Sequence, residues 1–341
     1  MKVLLLTGGS SGEREVSLSS GAAVFDALHR LGHEVTAIDP STGKLLLGPD
    51  GKFLSVTEVT PDEISAVESS KPHALANSLA AAHMDDVDVV FIALHGGTGE
   101  NGTIQSLLHL VGKKYTGSDM TASAVAMNKA MTKRLMAAVD VPTPRWALCQ
   151  LERRDSVDDV VDEIKHYFPC PVIVKPNDGG STIGLSKVTR QEDIAEAVQM
   201  AAGYSSQVLV EEYIAGRELT VSVFDGKAYP VVEIKAESGL YDYEAKYTKG
   251  KSEYVAPANL ESTLTEKMKQ AAERVYEAVG ASGLVRVDFI LDKSNDFYCL
   301  EVNTLPGMTS LSLSPMSLGC AGISFDQLVN MIIESALKHE T

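Results

Sequence analysis

Apolar and polar positions in the N-terminal part of the chain follow the order of a β-α-β unit. The apolar run Lys2–Leu6 predicts a strand, the amphipathic stretch 17–30 predicts a helix, and the run 33–39 predicts a second strand. A third apolar run at 88–94 ends in the Gly-rich loop 95–102. Because ligands bind at the carboxyl edge of open parallel sheets, this loop is a candidate binding site.

The pattern changes after residue 117. A long helix is predicted at 122–138, and an apolar strand at 172–174 leads into Lys175 and a Gly-Gly-Ser loop. The last third mixes strands with helices; the predicted strands lie at 219–224, 228–234, 284–291 and 297–302, and the predicted helices at 264–279 and 324–338. These changes predict three domains, with bounds 1–117, 118–210 and 211–341.

A polar connection at 237–257 interrupts the last third. It is rich in Tyr, Lys and Gly, and it contains both Lys246 and Tyr247. Compact domains seldom carry a connection longer than about 12–15 residues unless it is a lid or a binding loop. We therefore expect this segment to be an active-site lid.

Two alternating runs around the polar turn 292–296 predict a β-hairpin. Centring the turn on residues 294 and 295 gives four facing pairs: Asp288 with Glu301, Arg286 with Asn303, Phe289 with Leu300, and Val287 with Val302. Facing residues share one side of a sheet about 5 Å apart, so one side presents four polar groups and the other is apolar. Two carboxylates and an amide oxygen favour Mg²⁺ over zinc or copper, and the arginine adds a fork for phosphate oxygens. The alternative is a solvated sheet face with chance charges.

Composition narrows the possible partners. The chain has 341 residues, 44% of them apolar, and a formal net charge of −16. Nucleic-acid-binding domains carry basic faces, so we expect no nucleic-acid partner. No apolar run approaches the ~20 residues that span a bilayer, and the N-terminal run is too short for a signal peptide, so we expect a cytoplasmic protein without a membrane partner. The four cysteines form no C-x-x-C pair, which is typical of buried, reduced thiols.

An anionic ligand of such an acidic chain needs local cations. Lys175 precedes the segment 177–181, which we call the glycine-rich loop and whose free N–H groups suit phosphate. Lys129, in the predicted helix, is a second candidate, with a solvated helix lysine as the equal alternative. The run 208–214 is a candidate to bind adenine through its backbone and Glu211, with Glu218 available for ribose hydroxyls. Neither the G-x-G-x-x-G fingerprint nor a complete P-loop is present, which argues against dinucleotide dehydrogenases and P-loop enzymes.

Six ordered motifs resemble the D-alanine–D-alanine ligases of the ATP-grasp superfamily over essentially the whole chain. They are GEREVS at 12–17, ALHG at 93–96, VIVKP at 172–176, YDYEAKY at 241–247, RVD at 286–288 and EVNTLPGMT at 301–309. The resemblance implies an α/β ATP-grasp fold, with an N-terminal Rossmann-like parallel sheet and two α+β domains that hold ATP beneath the lid. It also implies a homodimeric, ATP-dependent ligase that joins two D-alanines for peptidoglycan precursors through a D-alanyl phosphate, with two Mg²⁺ or Mn²⁺ ions.

The resemblance also implies roles for the residues that match these motifs. At the nucleotide, Lys129, Lys175 and Lys246 contact phosphates, Glu211, Glu212 and Ile214 hold the adenine, and Glu218 binds ribose. The metal ions rest on Asp288, Glu301 and Asn303. Glu13 and His95 bind the first D-alanine. Arg286 and the Gly307 amide bind the developing oxyanion, and Ser312 and Leu313 bind the carboxylate of the second D-alanine. A hydrogen-bonded network across the closed site joins Glu13, Ser181 and Tyr247.

The chain departs from the family pattern at a few positions. Glu212 stands where relatives often carry lysine, Asn128 stands where aspartate is frequent, and the loop 177–180 differs from the commoner one. Tyr247 resembles the tyrosine of dipeptide-forming relatives, where ester-forming relatives tend to carry phenylalanine. Ligases that accept D-lactate or D-serine as the second substrate are the nearest alternatives.

Two rivals come from other classes of protein. The segment 8–12 fits the G-x-S-x-G pattern of serine hydrolases, but a nucleophile elbow belongs in the middle of a sheet and not after its first strand. Hydrolysis also has no use for the four polar groups of the hairpin. A non-catalytic nucleotide-binding protein on the same fold is the second rival, because fold alone does not assign function.

Overall fold

The computed structural model describes residues 1–54, 84–151, 157–236, 252–309 and 311–338. Within these ranges the chain builds three β-sheets, each with helices packed on it. The predicted lid falls mostly outside the described residues, as do Lys246 and Tyr247.

The N-terminal sheet has the order β3-β2-β1-β4. Its elements are β1 (Lys2–Leu6), α1 (Arg14–Arg30), β2 (Glu34–Asp39), β3 (Lys44–Leu45), β4 (Val89–Ile92) and α2 (Thr103–Leu110). The first two long strands and β4 are parallel, which confirms the predicted β-α-β unit, and β3 adds an antiparallel edge. Because both faces are covered, β1 is apolar on both sides, as buried parallel strands are.

The middle sheet is antiparallel, with the order β5-β8-β6-β7. Its elements are β5 (Trp146–Gln150), α5 (Val157–Tyr167), β6 (Val172–Pro176), β7 (Ser186–Val188), α6 (Ile194–Ala202) and β8 (Gln207–Glu212). Val172 and Val174 pack beneath the two helices together with Val208 and Val210. Since side chains alternate along a strand, Lys175 and Glu211 lie on the opposite face.

The C-terminal sheet has six strands, in the order β12-β11-β9-β13-β14 with β10 paired to β9. The strands are β9 (Gly216–Phe224), β10 (Lys227–Ala228), β11 (Val232–Ala236), β12 (Ser252–Val255), β13 (Leu284–Asp292) and β14 (Phe297–Asn303). The helices that accompany this sheet are α3 (Met120–Met127), α4 (Lys129–Ala138), α7 (Ser262–Val279) and α8 (Leu313–Cys320). One face buries Val221, Val287 and Phe289 beneath α3, α4 and α7. The other face is polar where β9 and β13 meet, because Thr220 faces Asp288 and Ser222 faces Arg286.

The last helix, α9 (Phe325–Lys338), returns to the N-terminal sheet. Leu328, Val329 and Ile333 are buried there against α1 and the strands. Residues 120–138 likewise pack on the C-terminal sheet although they precede the middle one. The predicted domain bounds therefore stay predictions, while the three sheets are each formed largely by one of the predicted segments.

Three local predictions were wrong. The predicted helix 122–138 is two helices, because Asn128 leaves helical geometry (φ −84°, ψ 95°) and its side chain accepts the Met131 N–H at 3.0 Å, as a helix N-cap does. The predicted strand 228–234 is broken between β10 and β11, at a segment that contains Pro230. Phe289 faces Cys299 and not Leu300, because a β-bulge shifts the register there.

Within the described ranges, no single helix is long and apolar enough to cross a membrane. The one candidate by length and composition is a pair, Leu313–Cys320 and Phe325–Lys338, whose members are bent by 103°. Both helices bury apolar residues against the sheets.

Candidate active site

Two lysines and one glutamate form a buried ion cluster between α4 and the middle sheet. The Lys175 ammonium lies 2.7 Å from Glu211 Oε2, and the Lys133 ammonium lies 2.6 Å from Glu211 Oε1. Lys175 and Glu211 meet because β6 and β8 present them on the same face, near each other in the register. We call this group the Lys–Glu–Lys cluster.

Burial and charge oppose each other at Glu211. Burial by itself raises the pKa of a carboxyl, but the two ammonium groups outweigh it and lower the pKa of Glu211 to about 2. Burial is also the main reason why the pKa of Lys133 is lowered, although Glu211 counteracts it. The Glu211 carboxylate is therefore ionised at neutral pH and is held by lysines on both sides.

Lys129 connects the middle sheet to the hairpin of β13 and β14. Its ammonium donates to the Gly179 carbonyl at 2.6 Å and lies 3.2 Å from Glu301 Oε2. Asn177 fixes the start of the helix that carries this lysine, because its carbonyl and its side-chain oxygen accept the N–H groups of Lys129 and Ala130. Lys129 is thus buried beside the glycine-rich loop, and the alternative of a solvated helix lysine is wrong.

The hairpin presents the predicted polar square. Asp288 faces Glu301 and Arg286 faces Asn303, as the sequence predicts. The Arg286 guanidinium donates two hydrogen bonds at 2.9 and 2.8 Å to the Asp288 carboxylate, which also accepts the Thr220 hydroxyl at 2.7 Å. The Asn303 side-chain oxygen accepts the Leu305 N–H at 3.0 Å.

The side-chain oxygens of Asp288, Glu301 and Asn303 in this square suit a hard divalent cation. Among the described residues, no group of three or more His, Cys, Asp or Glu side chains could hold a metal ion, so a site at the square would add the Asn303 oxygen to the two carboxylates. Carboxylate and amide oxygens are ligands that Mg²⁺ accepts, and Mg²⁺ usually completes its shell with water and phosphate. The square fits that demand.

Glu13 reaches the glycine-rich loop from the N-terminal part of the chain. The Ser181 hydroxyl donates to Glu13 Oε1. Two glycines make the approach possible, because a Cβ added at Gly96 or at Gly180 would lie 2.6 or 2.9 Å from Glu13 Oε2. Arg14 fixes the loop that carries Glu13, since its guanidinium pairs with a buried aspartate at 2.7 Å.

The ring of His95 is bonded on both sides. Nδ1 lies 2.9 Å from the Leu305 carbonyl oxygen and Nε2 lies 2.9 Å from the Ser20 hydroxyl, which accepts the Met308 N–H at 3.1 Å. A carbonyl can only accept, so Nδ1 carries a proton and donates to Leu305. His95 therefore connects α1 to the loop 305–308.

Gly307 and Ser312 lie side by side. A Cβ on Gly307 would stand 2.8 Å from the Ser312 hydroxyl oxygen, which accepts the Thr309 N–H at 3.0 Å. The Leu313 side chain is buried against Val232 and Ile234. Any ligand contact of Leu313 is thus left to its backbone.

The remaining predicted nucleotide residues lie along β8 and β9. Glu212 is exposed, Ile214 is half-buried just beyond β8, and Glu218 is half-buried. Glu218 shares the polar face of the C-terminal sheet with Asp288, because it is two residues from Thr220 on β9. These residues thus lie on β8, on β9 and on the short connection between the two strands.

Comparison with known proteins gives this arrangement a family. The model of the D-ala D-ala ligase N-terminus matches residues 2–118, and the model of its C-terminus matches residues 135–334. The chain belongs to the D-alanine–D-alanine ligase family. A D-alanine–D-alanine ligase of Gloeobacter violaceus is 41% identical, with 99% of this chain and 100% of the relative covered. One of Syntrophotalea carbinolica is 40% identical, with 98% and 96% covered.

Solved structures of this ligase family share the fold. A D-alanine–D-alanine ligase of Bacillus anthracis complexed with ATP matches with a TM-score of 0.76 and 28% identity, covering 99% of this chain and 98% of that one. A D-Ala:D-Ser ligase of Enterococcus faecalis matches with a TM-score of 0.77 and 28% identity, covering 98% and 99%. The resemblance and the α/β ATP-grasp fold class are both confirmed.

Among the polar residues gathered at this ligase-family site, Lys133 was missed by sequence reasoning. A signal was present, because Lys133 follows Lys129 by four residues and therefore lies on the same face of a helix. The continuous predicted helix obscured it, since a lysine in the middle of a long helix is normally solvated.

The low pKa of Glu211 predicts a defined acid dependence of stability. A carboxyl whose pKa is lowered by folding stabilises the protein above its unfolded pKa and loses that contribution as pH falls toward the folded value. The difference in unfolding free energy between wild type and Glu211→Gln should be largest above pH 5 and shrink steadily as pH falls from about 4.5 toward 2. Urea unfolding from pH 3 to 7 measures it.

Glu192→Gln is the matched control for that comparison, because it makes the same chemical change at an exposed glutamate. The unfolding free energy of Glu192→Gln should differ little from that of wild type over the whole pH range. A Glu211→Gln difference that is constant with pH would contradict the ion pairing described for the Lys–Glu–Lys cluster.

Proposed function

We propose that this chain is an ATP-dependent D-alanine–D-alanine ligase that makes the dipeptide of peptidoglycan precursors through a D-alanyl phosphate. The observation that carries the proposal is a chain of contacts between three kinds of group. The Glu13 carboxylate accepts a hydrogen bond from the Ser181 hydroxyl, and the buried Lys129 ammonium contacts both the nearby Gly179 carbonyl and Glu301. Glu301 belongs to the polar square that also contains Arg286, Asp288 and Asn303. Membership of the family and relatives of about 40% identity over the full length support it.

The lysines are the groups for the nucleotide phosphates. Lys175 directly precedes the glycine-rich loop, Lys129 donates to the Gly179 carbonyl of that loop, and Lys246 from the predicted lid would join them. Phosphoryl transfer depends on positioning and on spreading negative charge over cations, so fixed ammonium groups lower its barrier. Glu211, Glu212 and Ile214 would hold the adenine and Glu218 the ribose, so the nucleotide would lie between the middle and C-terminal sheets.

Asp288, Glu301 and Asn303 would hold two Mg²⁺ or Mn²⁺ ions. Bound there, such ions neutralise phosphate oxygens during transfer. The Arg286 guanidinium donates to both carboxylate oxygens of Asp288, so its direction is fixed before a ligand arrives. Together with the Gly307 N–H it would stabilise the oxyanion that forms when the acyl carbon is attacked.

The two amino acids would bind to different groups of residues. The Glu13 carboxylate would pair with the ammonium of the first D-alanine, with His95 holding the neighbouring loop. Ser312 and the backbone of Leu313 would receive the carboxylate of the second. In the reaction, a carboxylate oxygen of the first D-alanine bonds to the γ-phosphorus and ADP leaves.

The second step forms the peptide bond. The neutral amine of the second D-alanine attacks the acyl carbon, the bond from that carbon to the phosphate oxygen breaks, and the departing phosphate takes the proton that the amine loses. Glu13, Ser181 and Tyr247 would form the network that fixes polarity around this amine, with Tyr247 arriving on the lid. A lid that closes also excludes the water that would hydrolyse the acyl phosphate. The proposed setting is a cytoplasmic homodimer of three domains, as the family resemblance implies.

A substrate panel tests the proposed reaction. Phosphate release from ATP and Mg²⁺ should require D-alanine, and the product should be D-alanyl-D-alanine. L-alanine alone should give no release above background. D-serine or D-lactate, each added to D-alanine, should yield little mixed product.

Two results would revise the proposal. A mixed product that exceeds the dipeptide would favour a D-serine or D-lactate ligase. Phosphate release that does not depend on any amino acid would contradict a ligase altogether.

A variant of the square tests the proposed metal site. Glu301→Gln is nearly isosteric and removes one negative charge, so turnover should fall by about a hundredfold or more while the fold is kept. Added Mn²⁺ should not restore the wild-type rate. Steady-state kinetics over a range of Mg²⁺ concentrations, with circular dichroism as the check on folding, measures the effect.

Glu266→Gln supplies the control, because it makes the same change at an exposed position on α7. It should leave turnover unchanged. Wild-type turnover in Glu301→Gln at ordinary Mg²⁺ would mean that the square is only a solvated sheet face.

A further inference from the structure

Lys133 is completely buried and has no role in the proposed reaction. Its side chain is 0% exposed, whereas that of Lys175 is 9% exposed. The Lys133 ammonium lies 2.6 Å from Glu211 Oε1 and donates to the Thr143 hydroxyl at 2.6 Å. A lysine is almost never fully buried without a specific partner, so this position needs an explanation.

Charges in the Lys–Glu–Lys cluster do not balance. Two ammonium groups face one carboxylate, so the cluster carries an excess positive charge. The more accessible cation is Lys175, which stands beside the glycine-rich loop. An anionic ligand at that loop is what would balance the cluster.

Lys175 is occupied in the absence of a ligand. Its ammonium is 2.7 Å from Glu211 Oε2, so binding a phosphate requires it to leave that oxygen or share it. If Lys175 were the only cation near Glu211, its departure would leave a buried carboxylate unpaired, which is strongly unfavourable. Lys133 removes that obstacle because it stays on the other oxygen of the same carboxylate.

We infer that Lys133 is a positioning residue for nucleotide binding: it keeps Glu211 paired, so that Lys175 is free to bind phosphate. Lys133 itself does not touch the ligand. This inference rests on the proposed function, because it takes the phosphate to be that of a nucleotide.

A purely structural role for Lys133 predicts a different result. Lys133→Met leaves Glu211 and Lys175 as a neutral pair, and methionine fills a similar volume. The inference therefore predicts a folded variant in which Glu211 retains Lys175 more tightly. A structural role predicts a loss of nucleotide affinity that does not depend on the charge of Glu211.

A double-mutant cycle separates these two roles. Binding of MgADP is measured by calorimetry for wild type, Lys133→Met, Glu211→Gln and the double variant. Lys133→Met should weaken MgADP binding by about tenfold or more in the wild-type background. In the Glu211→Gln background, where no carboxylate competes for Lys175, the same change should cost about threefold or less.

Kinetics provides a second readout. The KM for ATP should rise in Lys133→Met by about the same factor as the dissociation constant, whereas the KM for D-alanine should stay within about twofold. Arg134→Met is the matched control, because it removes a positive charge from the neighbouring, exposed position of the same helix. Its affinity for MgADP should equal that of wild type.

The outcomes distinguish this inference from the proposed function. If wild type binds no MgADP, both are overturned. If wild type binds MgADP, two results would overturn only the role of Lys133. One is that Lys133→Met lowers the affinity for MgADP by the same factor in both backgrounds, and the other is that it does not lower the affinity at all. Lys133→Gln is measured in parallel, because it also lacks the ammonium and can replace Lys133→Met if that variant does not fold. It should show the same two losses of MgADP affinity, the large one with Glu211 and the small one with Glu211→Gln.

Discussion

A buried carboxylate needs cations, and Glu211 obtains them from two different parts of the fold. Lys175 comes from the same sheet, but Lys133 comes from α4, a helix that packs on the C-terminal sheet. Among the described residues, the middle and C-terminal sheets bury separate apolar clusters, and this pairing joins the two sheets through charge. The candidate nucleotide site lies at this junction, so its shape depends on the pairing.

A second link runs along the same helix. Lys129, one turn before Lys133, contacts both the Gly179 carbonyl and Glu301 on the hairpin. Asn177 holds the start of the helix through its carbonyl and side-chain oxygens. One short helix thus sets the distance between the glycine-rich loop and the oxygen square, which are the two halves that phosphate chemistry needs to bring together.

Sequence alone predicted the parts of the site that follow from strand periodicity. Facing pairs such as Asp288 with Glu301 could be predicted because they lie close to one turn and every pair matched in character. The bulge beyond them could not be predicted from the pattern; in the structure the Cys299 N–H beside it donates to the carbonyl of Pro142, a residue far along the chain, at 2.7 Å. Local pattern carries no information about such a partner.

Lys133 illustrates the same limit. Its spacing from Lys129 was visible, but its burial depends on Glu211, a residue far along the chain, and on a break at Asn128 that an N-cap hydrogen bond creates. The fold class and the family could be recognised because six motifs occur in order, and ordered motifs need no knowledge of contacts. The roles of Lys246 and Tyr247 stay predictions, because both residues lie outside the described ranges.

The central claim is that a carboxylate is activated by phosphorylation at this junction before the peptide bond forms. Transfer of ¹⁸O tests it most directly: D-alanine labelled in its carboxylate is turned over with unlabelled ATP, and the released phosphate is examined by mass spectrometry. The account predicts that label appears in the phosphate, because the carboxylate oxygen bonded to phosphorus leaves with it. Label that stays wholly in the dipeptide and the remaining D-alanine would contradict the account.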